Sequence, residues 1–171
     1  DWRTKMPNWC EGKLKVRGNP ENIVRWFTDC VTVYDRPYFD KNKFPNGEWV
    51  YNEIHDGALI SYDDDTFYIN VKDTAYIKGT RKNFVEKFCT EQIANGNSAI
   101  LILPVMAAWS MKPDPYEEMS KKYRLDFRFY GFDSSGCVNQ EMEVIEGETT
   151  INREIRFDDY RWECADPLMG G

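Results

Sequence analysis

The chain is expected to fold as one α+β domain on a mainly antiparallel sheet, with about three helices on one face. Short alternating apolar segments bounded by turn residues recur along it, the mark of strands joined in succession. Three other segments carry capped or apolar-striped patterns at helical spacing. With 171 residues and 42 % apolar side chains there is material for one core, not for two.

The first strand is read at residues 13–17, where Leu14 and Val16 alternate with Lys13, Lys15 and Arg17. Gly18 ends it, Asn19 caps a helix and Pro20 takes its first position. Ile23, Phe27 and Cys30 then share one face, with Val24 beside it. Residues 35–47 read as a long loop, with Pro37, Pro45 and Asn46-Gly47. Strands follow at 48–54 and 58–62 around the turn His55-Asp56-Gly57. A further hairpin is expected between 66–71 and 75–78.

A second helix is predicted over residues 82–94, with Phe84, Val85, Phe88 and Cys89 inward and Asn95-Gly96-Asn97 as its stop. Residues 99–109 hold no charge and read as a central strand covered on both faces. Pro104 within it should mark a bulge or an end, because proline cannot donate to a ladder. A third helix begins at Asp114, where Asp114 and Glu117 resemble a capping box and Tyr116, Met119 and Tyr123 face inward. Strands at 124–132, 137–145 and 150–157 complete a count of about eight. Residues 166–171 are expected to fray.

The net charge of −7 is segregated. Residues 1–34 and 66–100 are each +2, whereas 35–65 carry −5 and 141–171 carry −6. Two readings fit: solvated faces that aid solubility, or a surface shaped for a basic partner. Five widely spaced cysteines with no C-x-x-C give neither a disulfide framework nor a zinc knuckle and suit free thiols in a cytoplasm. No apolar run reaches the roughly 20 residues of a membrane helix, and no signal-peptide pattern opens the chain.

The densest acid cluster is Asp63-Asp64-Asp65, which lacks the ligand spacing of a calcium loop. Glu141, Glu143, Glu146 and Glu148 lie on the last hairpin. They read either as the wet face of an edge strand or as a negative ladder imitating spaced phosphates. Trp26 lies off the apolar stripe of its helix and is a candidate contact residue. Tyr38, Phe39 and Phe44 stand out because a polar loop has no packing need for aromatics. His55, the single histidine, reads as a turn residue. Arg128-Phe129-Tyr130-Gly131-Phe132 is a faint match to the aromatic strand of RNA-recognition domains. No phosphate-loop, dinucleotide, zinc-protease or nucleophile-elbow motif occurs, so no catalytic residue, metal or cofactor is assigned.

Met6-Pro7-Asn8-Trp9-Cys10, then Leu14-Lys15-Val16-Arg17-Gly18, resembles the opening of the YubB-type ferredoxin-like domain family of phage and plasmid proteins. Ala107-Ala108-Trp109-Ser110, Pro113, Pro115, Ser120-Lys121-Lys122-Tyr123 and the strand after them resemble a second stretch of that family. The match covers about a third of the chain. The resemblance implies a ferredoxin-like core over residues 6–165 with extra C-terminal strands, a natural start at Met6 after an added or alternative 1–5, and a mobile-element setting. The Trp- and Gly-rich middle segments of the family are absent, so residues 35–80 are expected to be a divergent insertion. The family's Gly-Phe-Gly-like close is altered to Gly131-Phe132-Asp133-Ser134-Ser135-Gly136.

The resulting expectation is a non-catalytic phage-type protein, cytoplasmic in its host. Its partner would be a host protein with a basic nucleic-acid-binding groove, inhibited or modulated in the manner of an anti-CRISPR. The partner-binding set is Asp63, Asp64, Asp65, Glu141, Glu143, Glu146, Glu148, Trp26, Tyr38 and Phe39. Direct nucleic-acid binding is not expected from net charge. It remains the alternative, through sheet aromatics and Lys13, Lys15, Arg17, Arg81 and Lys82. A small metal-dependent hydrolase using Asp63–Asp65 is the third reading.

Overall fold

A computed structural model describes residues 8–35, 38–43, 45–94 and 96–170. Expectations placed on Met6, Pro7, Pro37, Phe44 and Asn95, and on the Tyr38 side chain, lie outside these.

Alternation along the strand Trp9–Gly18 (β1) separates two faces: Leu14 and Val16 are fully buried while Lys13, Lys15 and Arg17 are exposed. Gly18 and Asn19 then deliver the helix Pro20–Cys30 (α1), where the Asn19 side chain accepts the Glu21 N–H at 2.9 Å. The chain continues through Val31–Tyr34 (β2), Tyr38–Asp40 (β3), Glu48–Val50 (β4), Glu53–Ile54 (β5), Ala58–Asp63 (β6), Thr66–Val71 (β7) and Ala75–Ile77 (β8). Asn83–Val85 (β9), Phe88–Ile93 (β10) and Ala99–Ala108 (β11) follow, then the helix Asp114–Tyr123 (α2). Asp126–Asp133 (β12), Val138–Ile145 (β13), Glu148–Arg156 (β14) and the single turn Tyr160–Glu163 (α3) close it.

The main sheet has nine strands in the order β14-β13-β12-β1-β11-β9-β8-β2-β5, and its pairs are antiparallel. β10-β7-β6 form a second sheet and β3-β4 a hairpin. The α+β class with a mainly antiparallel sheet is therefore what the chain adopts. α1 and α2 pack on one face of the main sheet, over Leu14, Val16, Leu103, Phe127, Phe129 and Met142. Each such side chain contributes roughly 1.5–3 kcal/mol by leaving water. The small sheet lies over α1 and lends Phe67, Ile69 and Val71 to the same core. No described helix is long and apolar enough to cross a membrane.

Several expectations change. Residues 82–94 form two strands, not a helix: Phe88, Thr90 and Gln92 alternate with the outward Cys89, Glu91 and Ile93, a period of two, and six residues pair with β7. The apolar pairs Phe84-Val85 and Phe88-Cys89 fit helical spacing by coincidence, and sheet pairing overrides it. The expected 66–78 hairpin does not form either. β7 pairs with β6 and β10, while β8 pairs with β2 and β9.

Pro104 neither ends nor bulges β11. Its carbonyl, like the backbone of Ile102, points away from β1 and accepts the Glu86 N–H at 2.9 Å. The missing N–H therefore falls on the side where no β1 bond is lost.

Nor are all three helices on one face. Tyr160 of α3 donates to Asn139, which in turn donates to the Tyr130 hydroxyl, on the face opposite α1 and α2. The Glu117 carboxylate accepts from Thr149 rather than closing a capping box, since α2 has no side-chain cap. The tail is also held: Ser134 Oγ donates to the Gly170 carbonyl at 3.1 Å, where fraying was expected.

Candidate binding faces

The predicted contact residues divide among three places. Asp64 and Asp65 occupy the two centre positions of the β6–β7 turn with φ of 48° and 57°. Such a two-residue turn needs positive φ twice, which aspartate tolerates. Asp65 accepts a hydrogen bond from Tyr62 Oη at 3.0 Å, and its carbonyl accepts the Ala94 N–H. Burial, then the Asp65 bond, raises the Tyr62 phenol above its ordinary pKa. Asp63 ends β6 and stands on the outer face of the small sheet.

That outer face is set by register. Leu59, Asn70 and Cys89 make one row across the three strands, Ser61, Tyr68 and Glu91 the next, and Asp63, Thr66 and Ile93 the last. Leu59 is 46 % exposed, Tyr68 42 % and Ile93 76 %. A shallow groove of about 660 Å³ runs over the Leu59 and Tyr68 rows. The face thus has Tyr68 at its centre, Leu59 and Ile93 at opposite corners, carboxylates at Asp63 and Glu91, and no cation in its three rows. The Asp64-Asp65 turn extends its acidic end.

Glu141 and Glu143 are placed differently. Both stand on β13 on the face away from α1 and α2, and both are neutralised. Arg128 lies 2.6 Å from Glu143, and Arg153 lies 2.5 Å from Glu141. Thr150 donates to Glu143 at 2.8 Å, and with Arg128 it holds that carboxyl below its ordinary pKa. A ladder of carboxylates each matched by an arginine does not imitate free phosphates. Glu146 (φ 51°) and Gly147 (φ 80°) form the β13–β14 turn, with Glu146 and Glu148 exposed at its tip.

Trp26 offers no contact surface. It is fully buried, edge-on to Phe127 at 5.4 Å, with its indole N–H toward Met119 Sδ. Position 26 follows Ile23 by three, so a broad apolar face takes it in where α2 and the sheet both press on the helix. Phe39 is exposed and packs edge-on against Trp49 at 5.6 Å on the β3–β4 hairpin; Tyr38 starts β3. His55 is exposed in its turn.

Two further features are chemically quiet. Cys10 is buried, and burial pushes its thiol up to about 12. In the strand resembling an RNA-recognition motif, Phe129 goes to the core, and the Tyr130 hydroxyl is bonded to Asn139 beneath α3.

The sequence reading missed a row of rings. Trp9, Phe84, Tyr76, Tyr34 and Tyr51 follow one another on the face opposite α1 and α2, with successive centroids 6.0, 5.7, 6.2 and 5.9 Å apart. They come from β1, β9, β8, β2 and the segment before β5, so only the strand order gathers them. The alternation Ala75-Tyr76-Ile77, buried on both sides of the tyrosine, was the available signal.

No protein-family model, curated protein or solved structure matches the chain.

Proposed function

We propose that the chain is a non-catalytic binding protein of a mobile element that docks on a basic surface of a host nucleic-acid-handling protein. The observation that carries the reading is the outer face of β10-β7-β6. Tyr68 stands at its centre, with Leu59 and Ile93 at opposite corners and Asp63 and Glu91 on the edge strands, and Asp64 and Asp65 lie at the adjoining turn. Exposed apolar patches edged by polar groups mark interaction sites. The carboxylates at the Asp63 end select a cationic partner and speed its encounter, while Lys72 at the opposite end is paired with Asp56. A protein so bound occupies the site where phosphates would otherwise lie, which is the action of an anti-CRISPR-like inhibitor. The interface is centred on Tyr68 with Asp63 at its acidic end, and Glu141 and Glu143 serve the fold instead.

The ferredoxin-like reading of the core is supported by its order. β1-α1-β2 and β11-α2-β12 are two β-α-β units, with β12-β1-β11 adjacent and β2 beyond them. β8 and β9 stand between β11 and β2, consistent with a divergent middle insertion. Of the residues that carry the YubB-type resemblance, Trp9-Cys10 opens β1 and Ala107-Ala108 closes β11. A cytoplasmic setting suits the five cysteines, all of them free thiols.

The test is capture of partners from host lysate in parallel with the charge-reversed Asp63→Lys/Glu91→Lys chain. The genuine partner is lost on reversal, is released by heparin, and binds more weakly between 50 and 200 mM salt by roughly tenfold or more. Partners that bind both chains alike at either salt refute this interface.

A further inference from the structure

We infer that the ring-lined cleft on the open face of the main sheet is a nucleotide site, taking a base against its tyrosines and a phosphate on Arg81 and Lys82. The cleft holds about 890 Å³, and its walls include Tyr34, Tyr51, Tyr76 and Phe84. That volume lies within the range of roughly 300–1,000 Å³ typical of small-ligand sites. This site lies on the main sheet and owes nothing to the docking face on the small sheet.

The cleft is built rather than incidental. Its floor is the half of the sheet where β9, β8 and β2 adjoin, and Phe84 pairs with Tyr76 in register. Its cationic rim is the turn between β8 and β9, which is fixed from several directions. The Tyr76 hydroxyl donates to the Thr80 carbonyl, and Thr80 Oγ1 donates to the Ile77 carbonyl at 2.6 Å. The Lys82 carbonyl accepts the Ala108 N–H at 3.1 Å, and the Lys82 ammonium stands 5.8 Å over the Trp109 ring. Gly79 (φ 86°) and Lys82 (φ 55°) take the left-handed backbone this turn requires. The backbone that carries two cations is thereby fixed beside a wall of rings before any ligand arrives, and such preorganisation favours affinity.

The chemistry of the walls selects the ligand. Flat aromatic ligands stack on tyrosine and phenylalanine whatever their sequence. Arg81 and Lys82 are exposed, and neither is in an ion pair among the described residues, whereas Lys78 below them is paired with Glu53 at 2.5 Å. Among the residues lining the cleft, Arg81 and Lys82 outnumber the single carboxylate, Asp35, so an anionic ligand fits better than a quaternary ammonium. Rings plus anion-binding groups match a phosphorylated base. Its source is either a free nucleotide or an unpaired stretch of nucleic acid. Duplex bases are stacked inside the helix and do not reach the tyrosines.

The experiment titrates the intact chain at low salt with AMP, UMP, a labelled single-stranded hexamer of dT or rU, and a duplex of equal length. Anisotropy reads the labelled strands, and calorimetry reads all four. Tyr51→Ala and Arg81→Ala/Lys82→Ala are the cleft variants, exposed positions whose folding is checked by circular dichroism. Asp63→Lys is a control outside the cleft.

Saturable binding is expected, with Tyr51→Ala weakening it roughly tenfold, as for loss of one stacking partner. The double variant should flatten the salt dependence by about one to two phosphate contacts. Asp63→Lys should not weaken binding. Mononucleotide binding as tight as the hexamer identifies a free nucleotide, and hexamer binding alone identifies a single strand. Absence of binding by all four probes overturns the inference. So does binding that both cleft variants leave unchanged, or duplex binding as tight as single-strand binding. None of these outcomes bears on the protein-docking face, which is judged by variants of the small sheet such as Asp63→Lys/Glu91→Lys.

Discussion

Gln92 takes the place of a missing strand beside Ile102. Its side-chain amide donates to the Ile102 carbonyl at 2.7 Å and accepts the Ile102 N–H at 2.8 Å, the two bonds a β-ladder partner would make. β11 pairs with β9 only from Val105 to Ala107, so its first half would otherwise present an open edge. Gln92→Ala should cost about 0.5–1.5 kcal/mol in urea unfolding, the net worth of an ordinary hydrogen bond, since water can reach the exposed Ile102 groups. Hydrogen exchange at the Ile102 amide should rise more than at Leu103, which faces β1. Equal protection in variant and parent would show that the edge is held by other groups.

Trp26 is a core residue and should behave as one. Trp26→Ala removes the ring that α1 shares with Phe27 and Phe127 and should destabilise the chain by about 3–5 kcal/mol. Trp26→Phe should retain most of the packing but lose the contact to Met119 Sδ, which lies 3.3 Å from the indole nitrogen. Partner binding by folded Trp26→Phe should match the parent, measured at a temperature where both are native. A selective loss of binding would return Trp26 to the contact set.

Asn83 and Tyr116 form a buried polar pair. Asn83 Nδ2 donates to the Tyr116 hydroxyl at 2.9 Å, and Asn83 Oδ1 has no partner among the described residues. Tyr116→Phe should cost about 1–3 kcal/mol by orphaning the amide, whereas Asn83→Leu/Tyr116→Phe should recover part of the loss. Thermal or urea denaturation of the four chains in the cycle measures the coupling. Strict additivity would mean that the bond contributes nothing.

The acid limb of stability should carry the signature of Glu143. Its folded pKa is depressed by Thr150 and Arg128, so its contribution is present above the unfolded carboxylate value. It is lost as pH falls from about 4.3, the ordinary glutamate value, through the lower folded value. Glu143→Gln should lower stability at pH 7 and flatten the dependence below pH 4.5. Urea midpoints from pH 7 to pH 3 give the comparison, and parallel curves for the two chains would exclude the effect.

The β6–β7 turn can be separated from its charge. Asp64→Asn suits the same positive-φ position and removes one carboxylate. Stability should change by less than about 0.5 kcal/mol, while partner affinity falls and its salt dependence flattens. Unchanged affinity would place the docking surface elsewhere on the small sheet.

Local patterns were decisive for β1, Asn19 and α1, because strand alternation and helix capping are properties of a few consecutive residues. The same holds for the existence of β11, α2 and the strands from β12 to β14, although β11 is covered on one face only: Ile100 and Ile102 are exposed where cover on both faces was expected. The sequence also determined that Asp63, Asp64 and Asp65 would meet water, since a two-residue turn has no room to bury them. It misread residues 82–94, where two apolar pairs satisfy helical and strand periods alike and only β7 and β11 break the tie. It placed Trp26 outside because a helical wheel knows one packing direction, while α1 is pressed by the sheet, α2 and the small sheet. The pairing of Glu141 and Glu143 with Arg153 and Arg128 needed the register of three strands. The ring cleft needed more still: Trp9, Tyr34, Tyr51, Tyr76 and Phe84 are dispersed along the chain and adjoin only through sheet order. Short-range rules give elements and exposure, but a surface made from five segments exists only once non-local pairing has paid the entropy of bringing them together.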